Sequence, residues 1–185
     1  MAEIGEEEIV STSPVKEYAW KVLDSGNSKY LNKVLIGTAV TGLVRVEWVQ
    51  ARYGQVIPPN WSQIELMSYL NSYMPLRFQL PDAQNLLVKE AIEKDFVWLL
   101  LLEHDVLLPP DGFVRFNEYM KDSDNPIAPI VSGLYYQRWI PSEPLVYRGI
   151  GTGAYTKWKL GDLVWCSGVP TGCLLINTSI LKAMS

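Results

Sequence analysis

Apolar positions along the chain fall into blocks that are either continuous or spaced like one face of a helix. The longest continuous block is Phe96-Val97-Trp98-Leu99-Leu100-Leu101-Leu102, with Lys94-Asp95 before it and Glu103-His104-Asp105 after it, ahead of Pro109-Pro110. A run with no polar interruption reads as a short central strand covered on both faces. Residues 33–38 read as a first buried parallel strand, residues 38–42 as a loop of small side chains, and residues 43–53 as a helix on Val44, Trp48 and Ala51. Pro81-Asp82 opens a second helix, since proline is tolerated in the first turn and a carboxylate suits the dipole there; its stripe is Ala83, Leu86, Leu87, Ala91 and Ile92. Phe113, Phe116 and Met120 mark a further helix, and 130–136, 163–165 and 172–177 further strands, with Thr178 or Ser179 capping a last helix.

Ahead of these, residues 1–12 form an acidic arm without a period, and Val15, Tyr18, Ala19, Val22 and Leu23 predict an accessory helix ended by Gly26. Residues 62–67 are a weaker strand. Strands alternating with amphipathic helices predict an α/β domain with a mostly parallel central sheet flanked by helices and right-handed crossovers. The division is an N-terminal arm and accessory helix over 1–32 and one domain over 33–185.

Composition narrows the classes. With 185 residues, 48% of them hydrophobic, the chain suffices for one packed domain and is cramped for two. A net charge of -4 and a pI near 5.1, with no clustered basic face, argue against nucleic acid as a partner. No apolar run approaches the ~18 residues of a transmembrane helix, and the acidic start lacks a signal peptide's basic region, so the expectation is a soluble, cytoplasmic or otherwise intracellular protein. Two cysteines, Cys166 and Cys173, and one histidine make neither a disulfide framework nor a structural zinc site. Both thiols are expected to be buried, with a bond between them open on spacing.

The chemistry gathers where the central strand ends. In open α/β sheets ligands bind beyond the carboxyl ends of the strands, which puts Glu103 and Asp105 over that crevice. Two carboxylates one residue apart can turn toward one hard cation, Mg²⁺ or Mn²⁺, whose other positions go to phosphates and waters. On spacing alone an equal alternative stands: the pair begins a solvated loop and Asp105 accepts local backbone N–H groups. Strand alternation points His104 away from both, toward packing or a hydrogen bond. Residues 137–161 dissolve into Pro, Gly and aromatic positions, and the excursion from 135 to 165 holds Tyr135, Tyr136, Trp139, Tyr147, Tyr155, Trp158 and Trp165, a density suited to stacking on sugar faces or to a small core under a long loop. The glycines of Gly149-Ile150-Gly151-Thr152-Gly153 lack the flanking strand and helix of a dinucleotide fingerprint and read as loop.

Residues 33–38, the helix from Pro81 to Lys94, the block Leu99-Leu100-Leu101-Leu102-Glu103-His104-Asp105-Val106-Leu107-Leu108-Pro109-Pro110 and the segment Gly168-Val169-Pro170-Thr171-Gly172-Cys173-Leu174-Leu175-Ile176 together resemble family-two-like glycosyltransferases of the GT-A fold. The resemblance runs from about residue 33 to the end of the chain. It implies a single GT-A (Rossmann-like) domain, with a nucleotide-binding part over about 33–110 and an acceptor-side part over about 127–185. Glu103-His104-Asp105 then stands as a variant Asp-x-Asp motif: Asp105 binds the Mn²⁺ or Mg²⁺ that bridges the donor diphosphate, and Glu103, in place of the first aspartate, contacts the metal or a ribose. By the same resemblance Thr38, Ala39 and Thr41 hold the nucleoside, His104 lies beside it, and Gln84-Asn85 replaces an Arg-Asn pair near the nucleotide, with Asn85 retained. A general base is expected on the acceptor side, Asp162 first and Glu143 second. The implied activity moves a sugar from a nucleotide-diphospho-sugar to a hydroxyl of a glycan, glycoprotein or other acceptor. A sugar-phosphate nucleotidyltransferase is disfavoured because 38–42 carries no Lys or Arg, and a non-catalytic carbohydrate-binding or assembly protein remains as the third reading.

Overall fold

The computed structural model describes residues 9–11, 32–61, 73–120 and 128–184. The helix expected over 13–26 and the strand expected over 62–67 lie outside them. In chain order the elements are β1 (Ile9–Ser11), β2 (Val34–Gly37), α1 (Val46–Tyr53), α2 (Leu80–Glu93), β3 (Trp98–Leu102), α3 (Gly112–Asn117), β4 (Ile130–Ser132), β5 (Asp162–Val164), β6 (Cys173–Asn177) and α4 (Thr178–Met184).

A four-stranded sheet in the order β2-β3-β6-β4 forms the centre. Every residue of β2, β3 and β6 is buried, as uninterrupted apolar runs require. Alternation along β3 then divides the core in two. Trp98, Leu100 and Leu102 pack with Phe113 and Phe116 of α3 and with Met120 on one face, while Leu99 and Leu101 meet Leu87 and Ala91 of α2 and, at its margin, Ile180 and Leu181 of α4. At roughly 1.5–3 kcal/mol for each fully buried large side chain, β3 is the strand on which the rest depends.

The expected mostly parallel, Rossmann-like sheet is corrected. Only β2 and β3 are parallel; β6 runs antiparallel to β3, pairing Leu102 with Cys173 and Trp98 with Asn177, and β4 is antiparallel to β6. The cause is the connection. A parallel neighbour needs a crossover that carries the chain back to the starting end of the sheet. After β4 the chain instead makes an irregular excursion over 133–172 and returns beside the finishing end of β3, where the Glu103 N–H donates to the Gly172 carbonyl at 2.8 Å. From there the only way along β3 is backwards.

Smaller differences have local reasons. The first helix is shorter than its periodicity, beginning at Val46 and leaving Leu43 88% exposed. Within the arm, Ile9–Ser11 pairs antiparallel with β5 in a second, two-stranded sheet. The final helix is capped by Asn177, whose Oδ1 accepts the Ser179 N–H at 3.0 Å; the Thr178 hydroxyl is taken up by the Phe96 and Val97 carbonyls at 2.6 and 3.1 Å. Cys173 is buried, Cys166 exposed, and both are free thiols. No helix among the described residues is long and apolar enough to cross a membrane.

Candidate functional site

The Glu103 peptide is held from three sides. Besides its own bond to Gly172, its carbonyl accepts from the buried Trp48 indole at 3.1 Å and from the Val106 N–H at 3.2 Å. α1 is thereby tied to the end of β3, and the backbone turns at His104 and Asp105. Fixing the main chain here fixes where three consecutive polar side chains diverge.

His104 goes one way. Its Nδ1 lies 3.1 Å from the Ala39 carbonyl and its Nε2 3.5 Å from the Thr41 hydroxyl. A carbonyl only accepts, so Nδ1 carries a proton and donates to it. The imidazole thus ties the loop after β2 to the end of β3, as alternation predicted for its direction. Thr38, at the base of that loop, is fully buried, and its hydroxyl has no partner among the described residues.

Glu103 and Asp105 go the other way, into a cavity of about 1040 Å³ whose wall also includes Ser132, Tyr135, Arg138 and Asp162. Burial, reinforced by the neighbouring Asp105 charge, pushes the Glu103 carboxyl above its usual range. Asp105 forms an ion pair with Arg138 from the excursion. The Tyr135 hydroxyl accepts the Gly172 N–H at 2.8 Å, and burial is the main reason its pKa is pushed up to about 12. Glycine is required at 172 by close approach: a Cβ there would land on the Tyr135 hydroxyl, 2.8 Å from its Cζ and 3.1 Å from Glu103 Oε2. The glycine turn is therefore what lets a phenol and a carboxylate share one corner of the cavity.

Of the residues singled out in the sequence, Glu103, Asp105 and Asp162 share the cavity, whereas Thr38, Ala39, Thr41 and His104 lie outside its wall, His104 meeting Ala39 and Thr41. Asp162 also has a local job, its Oδ2 accepting the Lys159 N–H at 2.7 Å across a turn. Asn85 is exposed and outside the cavity wall; its neighbour Gln84 donates to the Thr171 hydroxyl at 2.9 Å and braces the glycine turn. Tyr135, Tyr136 and Trp139 reach the cavity, while Trp158 packs edge-on against Tyr136 at 6.4 Å. Two contributors were not expected at the site: Arg138, and Trp48, which the pattern marked only as part of a helix stripe. Arg138 had one available signal, a cation beside Trp139 at the start of an aromatic stretch.

No family model matches the chain, and no curated protein matches it. Among solved structures the chain is similar to A197 from STIV, a viral protein, with 17% sequence identity and a TM-score of 0.53, covering 83% of this chain and 69% of that one. At this identity the likeness speaks for the overall fold alone.

Proposed function

We propose that the chain is a glycosyltransferase that binds a nucleotide-diphospho-sugar across the end of β3 and passes the sugar to an acceptor hydroxyl in the cavity. The observation that carries this reading is the division of labour at residues 103–105: His104 secures a loop of small residues on one side, and two carboxylates enter a large cavity on the other. At about 1040 Å³ the cavity is at the upper end of small-molecule sites, so it has room for a sugar and an acceptor together.

A hard divalent cation suits the pair. Both side chains offer oxygen donors, and the Asp105 charge that raises the proton affinity of Glu103 is a repulsion that a cation between them would relieve. Among the described residues no group of three or more His, Cys, Asp or Glu comes together, so the remaining donors would be phosphate and water oxygens. Mn²⁺ or Mg²⁺ held by Glu103 and Asp105 would supply positive charge to the leaving diphosphate. The chain's own groups do the rest. Ala39 and Thr41, on the loop above the fully buried Thr38, receive the nucleoside side, and Tyr136 offers a face for sugar rings. Asp162 takes the acceptor proton as the new C–O bond forms and the bond to the diphosphate breaks.

One observation favours a second reading, a carbohydrate-binding protein without turnover: Arg138 already neutralises Asp105. Donor hydrolysis over a panel of nucleotide sugars, with and without Mn²⁺, separates the two. Turnover that needs the metal and falls at least ~100-fold in Asp105→Ala supports the transferase. Metal-independent binding, or turnover indifferent to Asp105→Ala, overturns it.

A further inference from the structure

Turn tips are ordinarily polar, because they are the part of a chain most surrounded by water. The excursion after β4 breaks this rule three times. Its first tip, 137–143, is closed by the Gln137 N–H on the Glu143 carbonyl at 3.0 Å and by the Ser142 hydroxyl on the Gln137 carbonyl at 2.8 Å, and it presents Trp139, 76% exposed, and Ile140, 98% exposed. The second is a glycine turn with Gly151 and Gly153 in the left-handed region, open space around both, and Ile150 fully exposed. The third, closed by the Asp162 N–H on the Lys159 carbonyl at 3.1 Å, carries Leu160 at 98% exposure. Trp139 and Leu160 both border the cavity, so the first and third tips flank one opening.

Charge follows the same segment. Residues 135–165 hold Arg138, Arg148, Lys157 and Lys159 against Glu143 and Asp162; with Arg138 paired to Asp105, three cations still face two acids in a chain whose net charge is -4. We propose that these tips form a docking surface for an anionic lipid bilayer. Trp139, Ile140 and Leu160 enter the headgroup region and Lys157 and Lys159 face the lipid phosphates. Indole favours that boundary because its body is apolar and its N–H finds polar partners there. Basic side chains near an anionic surface add attraction that fades with salt. A second copy of the chain fits less well, since a two-fold contact would set the same cations against each other. The apolar side chains are also divided among separate tips, which a fluid interface accommodates and a rigid complementary surface does not.

Co-sedimentation with phosphatidylcholine vesicles, and with vesicles in which about a third of the lipid is phosphatidylserine, tests this on the full chain. The expected result is binding to the anionic vesicles, weakened by salt, and reduced at least ~tenfold in an Ile140→Ser/Leu160→Ser variant that keeps the parent's circular dichroism and melting temperature. Lys157→Gln/Lys159→Gln should weaken binding to the anionic vesicles without changing the fold. Absence of binding to either vesicle, or binding unaffected by both variants, overturns the proposal. So does a mass by light scattering that shows a dimer in the parent and a monomer in the serine variant, since the tips would then be covered by a second copy. None of these outcomes depends on whether Asp105 holds a metal.

Discussion

Glu103 is the residue at which folding and the proposed function pull in opposite directions. Burial and the adjacent Asp105 charge keep its carboxyl above the usual range, so the folded chain holds that proton to higher pH than the unfolded chain does. Stability contributed by the neutral form is therefore lost as pH rises from the unfolded value through the raised folded one. Glu103→Gln, which cannot ionise, should melt at a higher temperature than the parent at pH 7, and the gain should vanish well below about pH 4, where the Glu103 carboxyl is neutral in the folded and the unfolded chain alike. A lower melting point at pH 7 would mean that the carboxylate is better satisfied than its burial suggests. The cysteines offer a second check at this scale. Burial pushes the Cys173 thiol up to about 12 and also raises that of Cys166, but Cys166 is exposed, so iodoacetamide on the native protein at pH 8 should label Cys166 and leave Cys173 until denaturant is added. Equal labelling of both would show that β6 opens readily.

Among the elements, those that bury a face were legible. The apolar run of β3, Ala83, Leu87 and Ala91 of α2 and the Phe113 and Phe116 pair of α3 occupy the core as their periods predicted, while Leu86 and Ile92 of the expected α2 stripe are half-buried. Period reports burial, and burial is what these residues have in common. Strand direction leaves no such trace. Trp98-Leu99-Leu100-Leu101-Leu102 and Cys173-Leu174-Leu175-Ile176-Asn177 read alike whether parallel or antiparallel, so the orientation of β6 had to come from where the excursion returns. The same limit applied at the site: Asp105 was visible as a strand-end carboxylate, but its pairing with Arg138 joins residues that no local pattern connects. Leu100→Ala in β3, at 0% exposure, should cost about 2–5 kcal/mol in urea unfolding, while Leu43→Ala, just before α1, should stay within about 0.5 kcal/mol. Similar costs at both positions would mean that α1 begins earlier and buries more than its exposed start indicates.

At the scale of the molecule, the parallel pair β2-β3 brings the loop after β2 and the polar end of β3 to one edge, and the antiparallel return of β6 places the glycine turn against that edge. The cavity is thus walled by segments distant in sequence, with Asp162 and Arg138 both supplied by the excursion. The pairing of β1 with β5 has a consequence for how the chain is made. Ile9 and Val164 are partners about 150 residues apart, so their contact belongs to the longest-range class, the one that closes slowly. A chain emerging from the ribosome would present Ile9–Ser11 as an unpaired edge through most of synthesis, and the residues made early must wait for those made late before that side of the molecule can close.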